Sequence, residues 1–247
     1  MKSIVYMPTS APLSKVRATK HYGAEVRQIG QNFDESNAQC LKDCEANPDW
    51  TFVPPFDCNE VIAGQGTIAL EVYEQVKDVD YIVVAVGGGG LAAGVGVATR
   101  AVSPKTKVIA VNAALRPATY LKYKKEKGLP YDETVEEYSK KPLKPLADGI
   151  AVINPGKVTF PYVVKYVDDF VVVTEEEIEK AIALLGERNK IIAEGAGAST
   201  VAAVLFKKFN YEPNAKIVCC VSGGNIELSR FAECYEHSKQ YLIDTDA

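Results

Sequence analysis

An apolar segment of six residues, 81–86, runs directly into four consecutive glycines, Gly87, Gly88, Gly89 and Gly90, and small apolar residues follow them. A continuous run of apolar, largely β-branched residues is typical of a strand buried on both faces, and such strands occur in parallel sheets covered by helices. The small residues after the glycines predict a helix. This order of strand, glycine turn (residues 87–90) and helix therefore restricts the chain to folds built on a parallel sheet.

Strand and helix patterns alternate along the whole chain, which predicts an α/β protein. The predicted strands are residues 3–7, 25–29, 50–53, 81–86, 107–111, 170–173 and 216–221. The predicted helices are residues 14–22, 33–46, 64–76, 91–101, 119–127, 175–190 and 197–209. The pattern changes character around residues 53–56, so we predict two domains, 1–55 and 56–247.

Residues that begin or end helices support several of these predictions. Thr174 with Glu177 three residues later is a predicted capping box, and Gly23 is predicted to end the first helix. Prolines and glycines over residues 140–156 predict irregular chain, because proline does not fit a helix interior.

Composition excludes several classes of function. The net charge is −4, from 28 basic and 32 acidic residues without long blocks of one sign, so we expect no nucleic-acid or membrane partner. No apolar segment reaches the roughly 20 residues that span a bilayer, and no signal peptide opens the sequence, which predicts a cytoplasmic protein. The cysteines lack the C-x-x-C spacing of zinc sites, and we expect reduced, packed thiols. They are Cys40, Cys44, Cys58, Cys219, Cys220 and Cys234.

The glycine turn predicts a phosphate site. Glycines let consecutive amides turn toward one point, and the start of the following helix adds partial positive charge. Glycines also permit close packing of a strand on a helix, which is the alternative. Gly88, Gly90 and Ala93 fit a loose dinucleotide motif, but that motif requires an acidic residue after the next strand, where this chain has Asn112. A cofactor with a single phosphate fits better.

Four further segments contain glycine in specific contexts: residues 63–67, 147–151, 193–198 and 221–225. Glu194 and Ser222 fall at the ends of predicted elements, where the loops of a parallel sheet gather around a ligand. The Ser222 hydroxyl could hydrogen-bond a ring nitrogen. Asn225 could cap the next helix or contact a ligand. Each segment alone is also compatible with an ordinary turn.

Taken together, these motifs resemble the serine/threonine dehydratase and serine racemase family in order and spacing. The resemblance is carried by residues 61–67, 86–90, 148–149, 194–197 and 222–225, and it extends to the opening segment 6–12. It implies a three-layer parallel-sheet fold of the tryptophan synthase β type, fold type II of the pyridoxal-phosphate enzymes. A partial small domain would precede a partial large domain, and a homo-oligomer, a dimer, is expected.

The resemblance also implies a cofactor, pyridoxal 5'-phosphate, and a reaction. A small amino acid, serine or threonine, would undergo β-elimination to give a 2-oxo acid and ammonia. The glycine turn and the amide of Leu91 would bind the phosphate. Ser222 would face the pyridine nitrogen, and Glu194 would lie close to the ring plane. Phe56 would line the pocket, with Asn225 as a further contact.

The sequence departs from this family in two places. The family's lysine that forms the Schiff base with the cofactor lies in a serine-phenylalanine-lysine-x-arginine-glycine-alanine motif, which this chain lacks. We therefore assign no catalytic residue, expect the chain to begin in mid-domain and expect it to be inactive alone. Relatives that bind a divalent cation have a glutamate where this chain has Asn112, so no metal is expected.

Two other functions stay open at this point. A non-catalytic module that binds the cofactor or a partner would use the same phosphate site without the lysine. A dinucleotide-binding protein is the less favoured alternative, because of Asn112.

Overall fold

A short unit of two strands and two helices opens the chain. In the computed structural model, which describes residues 2–142 and 144–244, the chain divides into Met1–Pro54 and Pro55–Ala247. The first unit contains the parallel strands β1 (Ile4–Met7) and β2 (Glu25–Gln28) and the helices α1 (Leu13–His21) and α2 (Phe33–Ala46).

Local signals explain the ends of these helices. Helix α2 begins after Asn32, whose side chain accepts a hydrogen bond from the N–H of Glu35 at 3.0 Å. Gly23, with a φ of 88°, follows the end of α1 as predicted.

The prediction of a strand at residues 50–53 is wrong, since these residues form no regular element. The N–H of Trp50 donates to the carbonyl oxygen of Asn47 at 2.9 Å, which forms a turn after α2. Pro54 and Pro55 follow, and proline has no N–H with which to continue a ladder.

The second unit is built on four parallel strands in the order β5–β4–β3–β6. They are β3 (Tyr81–Ala85), β4 (Lys107–Ala113), β5 (Asp169–Val173) and β6 (Ile217–Cys219). Its helices are α3 (Asn59–Gln75), α4 (Gly90–Val102), α5 (Ala118–Glu126), α6 (Thr134–Ser139), α7 (Thr159–Tyr166), α8 (Glu175–Leu184), α9 (Gly195–Leu205) and α10 (Leu228–Asp244).

Helices cover both faces of this sheet. On one face, Val83 and Ala85 of β3 pack in a core that includes residues of α8, α9 and α10. On the other, Ile82 and Val84 pack in a core with residues of α3, α4, α5 and α7. The result is the predicted α/β fold, with strand residues alternating between the two helical layers.

Several element predictions need correction. Helix α3 begins at Asn59 rather than at residue 64. Helix α8 ends at Leu184, and a π-helical turn, Leu185–Asn189, follows it directly. The helices α6, α7 and α10 were not predicted, and a 3₁₀ turn, Asp148–Ile150, interrupts the irregular segment. The capping box is confirmed, because Thr174 and Glu177 exchange side-chain and backbone hydrogen bonds.

All six cysteines are free thiols, as predicted. Cys219 packs in one core and Cys220 in the other, and burial raises their pKa values to about 12 and about 11. Within the described residues, no helix combines the length and apolar character needed to cross a membrane.

Candidate functional site

The glycine turn lies where the strand order of the sheet reverses. From β3 the chain moves to β4 and β5 on one side, and it returns to β6 on the other side of β3. Val83 pairs with Cys219, so Ser222 leaves β6 at the edge where the glycine turn leaves β3. In open parallel sheets, ligands bind in the crevice at such a reversal.

Close packing explains why glycines form this turn. A Cβ atom at Gly88 would overlap the ring of Phe56, and one at Gly87 would lie 2.9 Å from the Cα atom of Ile150. Gly89 has a φ of 101°, in the region that side chains disfavour. The turn therefore brings its backbone directly against Phe56 and Ile150.

The N–H groups of the turn provide a site for an anion. Gly88, Gly89 and Gly90 are buried, and Leu91 is half-buried. Over the described part of the chain, the N–H groups of residues 88–91 donate no hydrogen bond. Unpaired buried N–H groups are costly, and at a helix start they favour a negatively charged oxygen group. The turn thus fits a phosphate.

The carbonyl oxygens of the turn are bound instead. Thr119 Oγ1 donates to the carbonyl oxygen of Gly87 at 2.7 Å, and Thr159 Oγ1 donates to that of Gly88 at 2.6 Å. The N–H of Gly156 also donates to the Gly88 carbonyl, at 3.0 Å. No local sequence signal marks these two threonines, because their partners lie far away in the chain.

Asp57, which sequence reasoning also missed, fixes the start of α7 beside the turn. Its carboxylate accepts hydrogen bonds from the N–H groups of Lys157 and Val158, each at 2.8 Å, and of Thr159 at 3.0 Å. Burial by itself would raise the pKa of Asp57. The hydrogen bonds from Thr159, Lys157 and Val158 outweigh burial and lower it.

Glu194 lies in the segment before α9, next to the loop after β6. Its N–H donates to the carbonyl oxygen of Gly223 at 3.0 Å, and its Oε2 accepts from the N–H of Asn225 at 3.1 Å. Ser222 and Asn225 are exposed. Asn225 does not cap α10, which begins at Leu228. Glu194 therefore connects the start of α9 to the loop after β6.

The irregular segment before α7 joins these two regions. A Cβ atom at Gly149 would lie 3.4 Å from Oε1 of Glu194, while the neighbouring Ile150 packs on Gly87. Four of the five glycine-bearing segments therefore meet at the carboxyl ends of β3 and β6.

The fifth segment, residues 63–67, has another role. It lies inside α3, where a Cβ atom on Gly66 would come within 3.2 Å of the carbonyl oxygen of Gly94 in α4. Gly66 therefore permits close packing of two helices.

Asn112, at the end of β4, is fully buried and serves the fold. Its Nδ2 donates to the carbonyl oxygen of Val86 at 2.9 Å, and its Oδ1 accepts from the N–H of Tyr120 at 3.3 Å. This neutral side chain connects β3 to the start of α5. Among the residues that the structure describes, no three His, Cys, Asp or Glu side chains are grouped so as to hold a metal ion.

Comparison with known proteins identifies the family. Residues 1–223 match the family model described as pyridoxal-phosphate dependent enzyme. The chain belongs to this family. The L-threonine ammonia-lyase of Geobacter sulfurreducens is 44% identical over 234 residues, which are 95% of this chain and 56% of that protein. This chain therefore spans little more than half the length of that relative.

Solved structures support the same assignment. The processed form of threonine deaminase isoform 2 from Solanum lycopersicum matches with a TM-score of 0.80 and 31% identity, over 95% of this chain and 62% of that one. Serine racemase from Dictyostelium discoideum matches with a TM-score of 0.75 and 33% identity, over 92% and 69%. The fold is fold type II of the pyridoxal-phosphate enzymes, and the predicted resemblance is confirmed.

Pyridoxal phosphate is the cofactor that this family membership indicates. The glycine turn fits the cofactor's phosphate, since at the start of α4 it presents N–H groups that have no acceptor among the residues the structure describes.

Proposed function

We propose that this chain forms the cofactor-binding part of an ammonia-lyase acting on threonine or serine. The observation that carries the proposal is the set of N–H groups at residues 88–91, which donate to no acceptor in the described part of the chain and lie where the strand order reverses at β3. The names of the relatives, an L-threonine ammonia-lyase and a threonine deaminase, support this substrate class. We further propose that residues 1–55 correspond to the family's small domain and 56–247 to its large domain.

The proposed roles follow from position and chemistry. Gly87, Gly88, Gly89, Gly90 and the amide of Leu91 bind the phosphate. Bound pyridoxal phosphate supplies an electron-withdrawing ring that stabilises negative charge on the α-carbon of an amino acid.

Three side chains complete the proposed site. The exposed hydroxyl of Ser222 accepts or donates a hydrogen bond at the ring nitrogen, and as a neutral group it does not force that nitrogen to be protonated. Glu194 holds the N–H of Asn225, so it fixes the loop that carries Ser222. Phe56, packed on Gly88, lines the site.

We also propose that this chain alone does not catalyse elimination. The sequence contains no serine-phenylalanine-lysine-x-arginine-glycine-alanine motif. Two lysines of the large domain are ion-paired away from the glycine turn, Lys124 with Asp169 and Lys208 with Glu177. Covalent attachment of the cofactor needs an amine next to the bound aldehyde. That lysine would come from a different polypeptide segment.

Cofactor binding to the purified chain tests the proposal. We expect saturable fluorescence quenching by pyridoxal phosphate that competes with inorganic phosphate, and no response to NAD in a parallel titration. Borohydride treatment should leave the protein mass unchanged, and threonine should give no 2-oxo acid. Turnover of threonine would refute inactivity, and stoichiometric borohydride-stable labelling of a single lysine, blocked by inorganic phosphate, would refute the absence of a Schiff-base amine. Binding of NAD without pyridoxal phosphate would refute the cofactor assignment.

A homo-oligomer, the dimer expected from the family resemblance, is the proposed assembly. Light scattering on the purified chain measures its mass directly, and a concentration-independent monomer would refute the dimer.

A further inference from the structure

Two hydroxyl groups from different helices hold successive carbonyl groups of the glycine turn. Thr119, in α5, binds the carbonyl oxygen of Gly87, and Thr159, in α7, binds that of Gly88. Both threonines are buried, with exposed fractions of 1% and 0%. The hydrogen bonds are 2.7 and 2.6 Å long, within the usual range for hydroxyl donors.

Because of peptide geometry, the two hydrogen bonds to carbonyl groups also fix the directions of N–H groups. The peptide unit is planar and trans, so a carbonyl and the N–H of the next residue point to opposite sides of the chain. Fixing the Gly87 carbonyl therefore fixes the N–H of Gly88, and fixing the Gly88 carbonyl fixes the N–H of Gly89. Glycine has no side chain and adopts both signs of φ readily, so the glycine turn does not restrict the direction of its own peptide planes.

Asp57 supports the second of these contacts. Its carboxylate binds three N–H groups at the start of α7, and its Oδ1 lies 3.3 Å from Thr159 Oγ1. The Thr159 hydroxyl carries a single proton, which points to the nearer acceptor, the Gly88 carbonyl. Asp57 therefore holds the threonine without taking its proton.

We propose that Thr119 and Thr159 are positioning residues that aim the N–H groups of Gly88 and Gly89 at the cofactor's phosphate. The proposal rests on the proposed function, since it concerns the same phosphate site. Neither threonine touches the phosphate. Each lowers the cost of binding by holding a peptide plane in its bound direction before the anion arrives.

Valine substitutions isolate the hydroxyl groups. Thr119→Val and Thr159→Val replace a hydroxyl by a methyl group of similar size, and Thr159→Ser keeps the hydroxyl. Thr99 offers a matched control. It is equally buried at 1% exposed and lies in α4, yet its hydroxyl has no partner among the described residues. Thr99→Val therefore removes a buried hydroxyl without freeing a carbonyl.

The readout is the ratio of two dissociation constants, for pyridoxal phosphate and for pyridoxal, which lacks the phosphate. Wild type and Thr99→Val should share one ratio in favour of pyridoxal phosphate. Thr119→Val should weaken binding of pyridoxal phosphate about tenfold, the effect of losing one hydrogen bond. Thr159→Val should weaken it by a smaller factor, because the N–H of Gly156 still binds the Gly88 carbonyl. The affinity for pyridoxal should be unchanged in both variants. Thr159→Ser should keep the wild-type ratio.

The outcomes separate the two proposals. Wild type without preference for the phosphorylated compound would overturn both the phosphate site and the positioning role. A wild-type preference that persists in Thr119→Val and Thr159→Val would overturn the positioning role alone. Circular dichroism and thermal melting identify a variant that fails to fold. Because the threonines lie on different helices, Thr119→Val remains a complete test if Thr159→Val is unstable.

Discussion

The N–H of Leu146 donates a 2.6 Å hydrogen bond to Oε2 of Glu175, while the buried Oε1 of the same carboxyl has no partner among the described residues. Burial raises the pKa of Glu175, and the hydrogen bond from Leu146 offsets this only in part. The bond holds the segment that leads to Gly149 and Ile150, which pack on Glu194 and Gly87.

We predict that Glu175→Gln stabilises the protein at alkaline pH. Because the pKa of Glu175 is raised in the folded state, the wild type loses stability as pH rises through that pKa, whereas glutamine loses none. The difference in free energy of unfolding should approach zero near pH 4 and reach about 1 kcal/mol near pH 8. Urea denaturation at both pH values measures it, and a pH-independent difference would contradict the prediction.

The adjacent Glu176 provides a control of opposite sign. Burial opposes ionisation there, but the hydrogen bonds from Tyr138, the Glu176 N–H and Thr174, with the charge of Lys141, together outweigh it and lower the pKa of Glu176. Its contribution to stability is therefore present at neutral pH and is lost as pH falls through the lowered pKa. Glu176→Gln should destabilise at pH 7 and have a smaller effect near pH 3.

We predict that Asp57→Ala destabilises the fold by about 1–2 kcal/mol at pH 7, because three N–H groups lose their acceptor. The pKa of Asp57 is lowered in the folded state, so the loss should shrink as pH falls through that pKa. Asp34→Ala, at an exposed aspartate in the first turn of α2, should change stability by less than about 0.5 kcal/mol. Equal losses for both variants would exclude a capping role for Asp57.

We predict opposite effects of alanine at two glycines. In Gly94→Ala, the new Cβ would overlap the Ile62 carbonyl oxygen and lie 2.6 Å from the nitrogen of Gly66, so α3 and α4 must separate. The expected loss is about 1–3 kcal/mol. A Cβ at Gly64, within α3, meets nothing within 4 Å, so Gly64→Ala should stabilise the helix by about 0.5–1 kcal/mol. Thermal unfolding of both variants checks the contrast.

We predict that Gly88→Ala and Phe56→Ala are coupled. The added methyl group in Gly88→Ala overlaps the Phe56 ring, which costs about 1–3 kcal/mol. Removing the ring relieves that overlap, so the double variant should lose less stability than the sum of the single variants. Additive losses from denaturant unfolding would show that the ring does not restrict Gly88.

The sequence predicts most strands of the sheet but not all of the helices that pack on it. Strands β3 and β4 are largely apolar, so their patterns indicate burial directly. Helix α7 has Pro161 and several β-branched residues, which disfavour a helix in the sequence pattern, although proline is tolerated in a first helical turn. Helix α10 carries apolar residues at helical spacing, Phe231, Cys234 and Leu242, and this pattern does indicate a helix.

The candidate site divides in the same way. Gly88 and Ser222 could be proposed from sequence, because loops at the carboxyl ends of parallel strands converge. Thr119, Thr159 and Asp57 could not, since threonines and aspartates are common and only their tertiary partners distinguish these three.

Val83 pairs with Cys219, which lies far along the sequence, so β3 and β6 can pair only late in folding. Chains emerge from the ribosome beginning at the amino terminus, so the glycine turn is synthesised long before β6. Until β6 docks, β3 is an open edge of the sheet, and an uncovered edge recruits other chains. Closing so long a loop is slow. We therefore expect cofactor added during refolding to leave the rates of the early phases unchanged. It should affect only the last phase, in which β6 docks beside β3 and completes the site.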